Sequence, residues 1–193
     1  MKTSSCLSLM IISVLVSLLG CTPNEGDLLQ VYLVRHAEKV DQSKDPDLSG
    51  DGYLRAEELA RTLADAKIEY VHSSDFIRTR NTAAPVAELF GLEIELYDQN
   101  DLLTLSEHLR AAGGRHLVVG HSSTTPDLVG ILGGDPGYPI KELNEYDRLY
   151  IITINMDEVN TVLLRYGKPC SSLPSSISAS SLLVPQTSGS ALN

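Results

Sequence analysis

At 193 residues with a formal charge of −10, 15 Lys and Arg against 25 Asp and Glu, the chain has room for one ordinary domain with a sizeable core. The acidity is spread along the sequence and no basic stripe is available to meet phosphates, which excludes nucleic acid as a partner. Any anion site must therefore be a local island of positive charge.

The first twenty residues read as a leader and not as part of the fold. Lys2 supplies a minimal positive start, and the apolar run Leu7 to Leu19 is short for a membrane-spanning helix. It closes on Leu18-Leu19-Gly20-Cys21. Small residues before a cysteine resemble the bacterial lipobox, which implies lipid on Cys21 and an exported lipoprotein. The chain would then be held on the periplasmic or cell-surface side of a bacterial membrane. The alternative is an ordinary signal peptide cleaved nearby. With Cys6 removed and Cys21 lipidated, only Cys170 remains, so the mature chain has no intramolecular disulfide. No Cys/His spacing suggests a metal site. Residues 21–27 read as a polar tether.

The first predicted strand, Val31-Tyr32-Leu33-Val34, ends abruptly on Arg35-His36. A loop rich in Asp, Ser, Pro and Gly follows, in which Ser49 is placed to cap a helix over about Tyr53 to Ala66, with Tyr53, Ala56, Ala60 and Leu63 on one face. Ile68 to His72 reads as a strand, followed by the cluster Ser73 to Ala83 with Arg78 and Arg80. The helix after Arg78 is expected to kink or restart at Pro85 and to end at Gly91. Leu92 to Tyr97 alternates like a strand, and Leu102, Leu105 and Leu109 mark a helix that stops at Gly113-Gly114. Leu117-Val118-Val119-Gly120 then delivers a second histidine, His121. Thr125-Pro126 starts a helix and Gly133-Gly134 stops it. Arg148 to Asn155 and Thr161 to Tyr166 read as a hairpin. From Pro169 onward there are nine serines and no charged residue, so 169–193 is expected to be disordered. The alternation predicts a three-layer α/β/α sandwich with a mostly parallel sheet and one antiparallel strand, spanning 28–168.

Two histidines at strand carboxyl ends, with an arginine cluster between them, point to chemistry on an anion, because ligands of parallel sheets sit at that edge. Arg35-His36-Ala37, Ser74-x-x-x-Arg78-x-x-x-Thr82-Ala83 and Gly120-His121-Ser122 occur in the order of the histidine phosphatase superfamily, the phosphoglycerate-mutase-like group, which the chain resembles. Leu48-Ser49-x-x-Gly52-x-x-Arg55-Ala56 and Glu145-Tyr146-Asp147-Arg148-Leu149-Tyr150 are smaller pieces of the same kind. The resemblance implies a phosphoglycerate-mutase-like fold and a His36 that is transiently phosphorylated. His121-Ser122, in place of His-Asp, sets the chain outside the acid-phosphatase branch of the family.

Phosphoryl transfer needs an in-line nucleophile, positive charge around the non-bridging oxygens and a proton for the leaving group. A neutral imidazole is a good nucleophile at neutral pH, and Arg35 and Arg78 offer planar forks that match phosphate oxygens. His121 is a further donor, and the arginines supply the charge, so neither metal nor cofactor is required. Asp98, at the end of the Leu92–Tyr97 strand, is the candidate proton donor; Asp101 is close but also suits a helix N-cap. Arg80 reads as solvent-facing, and His72, His108 and His116 as structural. Glu38 and Lys39 suit a pocket rim or a solvated loop equally. The expected function is hydrolysis of a small phosphomonoester. The alternatives are a protein phosphohistidine phosphatase and a non-catalytic phosphate-binding lipoprotein.

Overall fold

The computed structural model describes residues 28–170. The segments expected to be a leader and a tether, with Cys21, lie outside the described residues, as does the serine-rich segment 171–193.

Six strands form one sheet: β1 (Leu28–Arg35), β2 (Tyr70–Ser74), β3 (Ile94–Tyr97), β4 (Gly114–Gly120), β5 (Arg148–Asn155) and β6 (Glu158–Arg165). Their spatial order is β3-β2-β4-β1-β5-β6. The pairs β1 with β4, β4 with β2, and β2 with β3 are parallel. β5 runs antiparallel to both its neighbours, so it alone opposes the rest. Asn155 pairs with Glu158, which leaves a two-residue turn with Met156 at φ 51°.

Four helices cover the sheet: α1 (Gly50–Thr62), α2 (Ile77–Phe90), α3 (Leu102–Ala112) and α4 (Thr124–Ile131). Tyr32 and Val34 of β1 pack with α1 and α2, whereas Val31 and Leu33 pack with α3 and α4. A strand buried on both faces cannot alternate apolar with polar, which is why Val31 to Val34 reads as a continuous apolar run.

α1 starts earlier than its hydrophobic spacing predicts. The Ser49 side chain accepts from the Gly52 N–H at 3.1 Å and fixes the first turn. The buried stripe is therefore Gly52, Arg55, Ala56, Leu59 and Ala60, and Tyr53 faces outward to bond Asp47. A Cβ on Gly52 would lie 2.3 Å from the Glu38 carbonyl oxygen, so only glycine lets the helix start meet the chain leaving β1. α2 does not restart at Pro85: it runs unbroken to Gly91, which closes it in the left-handed conformation. Burial of Thr79, Thr82, Ala83, Val86 and Ala87 outweighs the lost hydrogen bond.

The chain end also departs from expectation. Cys170, placed by sequence in the serine-rich tail, is buried and accepts from the Tyr146 N–H at 3.2 Å. Arg55 draws this segment in by donating to the Tyr166 and Lys168 carbonyls at 3.0 and 2.9 Å. The same guanidinium pairs with Glu38 at 2.7 Å, which settles Glu38 as a structural partner and not a pocket residue.

Candidate active site

β1, β4 and β2 are adjacent and parallel, so their carboxyl ends deliver His36, His121 and Ser74 to one edge. The His36 N–H donates to the Gly120 carbonyl at 2.9 Å, extending the β1–β4 ladder by one residue. The imidazole rings of His36 and His121 lie 5.5 Å apart, centroid to centroid. A Cβ on Gly120 would fall 2.9 Å from both the Thr124 and Tyr97 hydroxyl oxygens, so a side chain there would push the second histidine out of place.

His36 is 3% exposed, and its Nδ1 lies 2.7 Å from the Ala37 carbonyl oxygen. A carbonyl only accepts, so Nδ1 carries the proton and Nε2 keeps its lone pair. Burial, against the pull of the Ala37 bond and helped by Arg35, His121 and Arg78, pushes His36 down to about 2. The ring is therefore neutral and nucleophilic at physiological pH. Ala37 is itself held: its N–H donates to Thr82 Oγ1 at 2.9 Å, and that hydroxyl donates to the Arg78 carbonyl at 2.7 Å. Thr82 thus locks the backbone beside His36 to α2.

Arg35 is 1% exposed. Its Nη1 donates to the Glu145 carbonyl at 3.1 Å and its guanidinium lies 4.2 Å over the Tyr146 ring. Arg78, in the first turn of α2, lies 4.3 Å over Phe76 and faces Asp45 at 3.4 Å. Its Nη2 is 3.5 Å from His121 Nδ1, and the other His121 nitrogen bonds Ser74 Oγ at 2.8 Å. Burial, then Arg78 and Arg35, push His121 down to about 4. Arg35 Nε and Nη2 and Arg78 Nε are buried and without a hydrogen-bond partner among the described residues. Three guanidinium N–H groups so placed, next to a neutral imidazole lone pair, fit a tetrahedral oxyanion.

Behind Arg35, Glu145 accepts from Arg148 at 2.8 Å, Arg165 at 2.8 Å and the Lys141 N–H at 2.9 Å. Burial works against its charge, but Arg148 and its other donors hold Glu145 down to about 2. This network fixes the carbonyl that holds Arg35. Its signal in the sequence is the run Glu145-Tyr146-Asp147-Arg148.

The structure brings Arg35, His36, Arg78 and His121 together; it does not bring Asp98. That residue ends β3 at the sheet's edge, three strand spacings from β1, or roughly 14 Å. It is exposed, and its carboxylate accepts from Asn100 at 2.9 Å. A strand end on the correct edge was not enough, because the sheet order puts β3 outermost. Asp101 caps α3 through the Thr104 N–H at 3.1 Å. Arg80 pairs with Asp75 at the surface. The carboxylates whose charge reaches Arg78 are Asp45 and Glu142, and Glu142 also acts on Arg35.

Residues 31–100 match the model of the histidine phosphatase superfamily (branch 1). Over these residues the chain is similar to that superfamily. A curated relative from Serratia proteamaculans (strain 568), named "Probable phosphoglycerate mutase GpmB", is 36% identical over 74 residues, covering 35% of this chain and 34% of its own. The chain thus matches about a third of the length of such relatives. Among solved structures, the protein histidine phosphatase SixA complexed with tungstate superposes with a TM-score of 0.57 at 22% identity, covering 72% of this chain and 96% of that one. A phosphoglycerate mutase from Bacillus anthracis str. Sterne gives 0.57 at 16% identity, covering 72% and 94%. At these identities the likeness is one of fold: the phosphoglycerate-mutase-like sandwich.

Proposed function

We propose that this histidine phosphatase hydrolyses a small phosphomonoester through a phosphohistidine on His36 Nε2, without a metal ion. The observation that carries the reading is the neutral His36, its reactive nitrogen fixed by Ala37, beside three unpartnered guanidinium N–H groups. Arg35 and Arg78 hold the non-bridging oxygens while the Nε2 lone pair attacks phosphorus and the bond to the leaving oxygen breaks. His121 donates from Nδ1 once the anion's charge offsets the neighbouring guanidinium ions. The leaving oxygen takes up its proton through Glu142. In the second step Glu142 takes a proton from water as that water attacks phosphorus. The P–N bond breaks, phosphate leaves and the imidazole is restored. Asp45 is engaged by the Ile77 N–H at 3.0 Å and by Arg78, whereas Glu142 makes no side-chain hydrogen bond among the described residues.

Denaturing the enzyme without acid during turnover of a labelled phosphomonoester should trap the label on His36. His36→Ala should lose activity on the order of 10⁴-fold or more, and turnover by the parent should survive a chelator. Full activity in His36→Ala would sink the mechanism, and loss of turnover in chelator would sink its metal independence.

A further inference from the structure

Hydrogen bonds alone do not fix the Arg78 guanidinium. Its Nη1 faces Asp45 Oδ1 at 3.4 Å and its Nη2 faces His121 Nδ1 at 3.5 Å, both at the limit of hydrogen-bond reach. Its Nε is buried without a partner among the described residues. Arg35, by contrast, donates to the Glu145 carbonyl at 3.1 Å. What Arg78 does lie against is the ring of Phe76, whose centroid is 4.3 Å from the guanidinium carbon. A guanidinium stacked on an aromatic face is held by charge and dispersion, and keeps its N–H groups for other acceptors.

Phe76 occupies a position whose local chemistry favours other residues. It is the N-cap of α2, with an extended backbone at φ −130° and ψ 149°, and its side chain makes no capping bond. N-caps favour Ser, Thr, Asp and Asn, whose oxygens take the first free N–H groups of a helix. Here Asp45 supplies that oxygen from the loop before α1, accepting from the Ile77 N–H at 3.0 Å. The backbone of Phe76 is pinned on both sides. Its N–H donates to the Ser74 carbonyl at 2.9 Å, and its carbonyl accepts from the Arg80 N–H at 3.0 Å. An apolar ring at a capping position, rigidly placed under Arg78, breaks a local rule where a functional site is expected to break one. His121 meets the edge of the same ring at 5.0 Å, but Ser74 Oγ already holds that imidazole at 2.8 Å. The residue that depends on the ring is Arg78.

We propose that Phe76 is a positioning residue of the phosphoryl site, its ring seating Arg78 so that the guanidinium meets the anion already in place. The inference rests on the reading that Arg35 and Arg78 hold the non-bridging oxygens. A seated donor keeps the cost of ordering a long, flexible side chain out of the binding step. Without the ring, Arg78 retains only its two long contacts, one of them to a carboxylate on a loop.

Titrating the full chain with inorganic phosphate in a calorimeter tests this with no turnover involved. Phe76 is half-buried, so Phe76→Leu, which keeps the apolar bulk and removes the aromatic face, spares the fold. It should weaken phosphate binding on the order of 10-fold, with a melting temperature close to the parent's. Phe76→Tyr keeps the face and should bind as the parent does. In an Arg78→Ala background, Phe76→Leu should cost nothing further, because the group it seats is gone. Parent-like binding in Phe76→Leu, an equal loss in Phe76→Tyr, or an undiminished loss in the Arg78→Ala background would each overturn the seat while leaving the anion site standing. Phosphate binding in Arg78→Ala as tight as the parent's would remove Arg78 from the anion site, and would overturn that reading and the seat together.

Discussion

Nε2 of His36 keeps its lone pair because Ala37 offers a carbonyl to Nδ1, and Ala37 stays in place because Thr82 takes its N–H. The proton donor can be tested by the same residue-level reasoning. An alkyl phosphate needs its leaving oxygen protonated as the bond breaks, whereas a nitrophenolate leaves almost unaided. Glu142→Gln should therefore lose on the order of 10²-fold on alkyl phosphates and far less on nitrophenyl phosphate. Asp98→Asn, altering a residue three strands from the nucleophile, should behave like the parent on both. A selective loss in Asp98→Asn, with none in Glu142→Gln, would reverse the assignment. Arg35, His36, Arg78 and His121 were legible in the sequence because each sits at a strand end or in the first turn of the following helix. Ser74, Thr82 and Tyr146 stand in the quoted motifs, but what they touch lies across the fold, at separations of 45 residues for Ala37–Thr82 and 47 for Ser74–His121, and no local spacing reveals those partners.

At the scale of elements, both the strands and the helices were readable from periodicity and punctuation, and the discrepancies have identifiable physical causes. The α1 boundary moved because a side-chain cap, and not the apolar stripe, sets the first turn. The edge position of β3 is decided by which strands pair, which no single strand encodes. The expected restart at Pro85 is absent because helix propensity is local and the burial of α2 is not. That compromise is measurable. Pro85→Ala restores a donor to the turn and removes the ring's clash, which costs about 3 kcal/mol in a helix interior. The substitution should raise the urea midpoint by part of that amount, reduced by the greater freedom of the unfolded chain. A lowered midpoint would show that the ring contributes more as a packing group than it costs as a helix breaker.

Across the whole molecule, burial keeps four imidazoles neutral: His36, His72, His116 and His121 all lie below the ordinary 6.5. The unfolded chain takes up protons on these rings near 6.5 and the folded chain does not until lower pH. Their contribution is therefore complete above about 6.5 and is lost as pH falls, at about 1.4 kcal/mol per unit for each ring that stays neutral. Glu145, held to about 2, adds a second loss as pH drops below 4.5. The urea midpoint should fall between pH 7 and pH 5, and a constant midpoint over that range would contradict the burial of these rings. The bond from the His36 N–H to the Gly120 carbonyl has a different kind of consequence. It makes the separation of the two reactive rings a property of the sheet, independent of the lengths of the segments that arch over them. The stretch bearing Asp45 can thus be extended by redesign to admit other alcohols, with the separation of the two rings undisturbed.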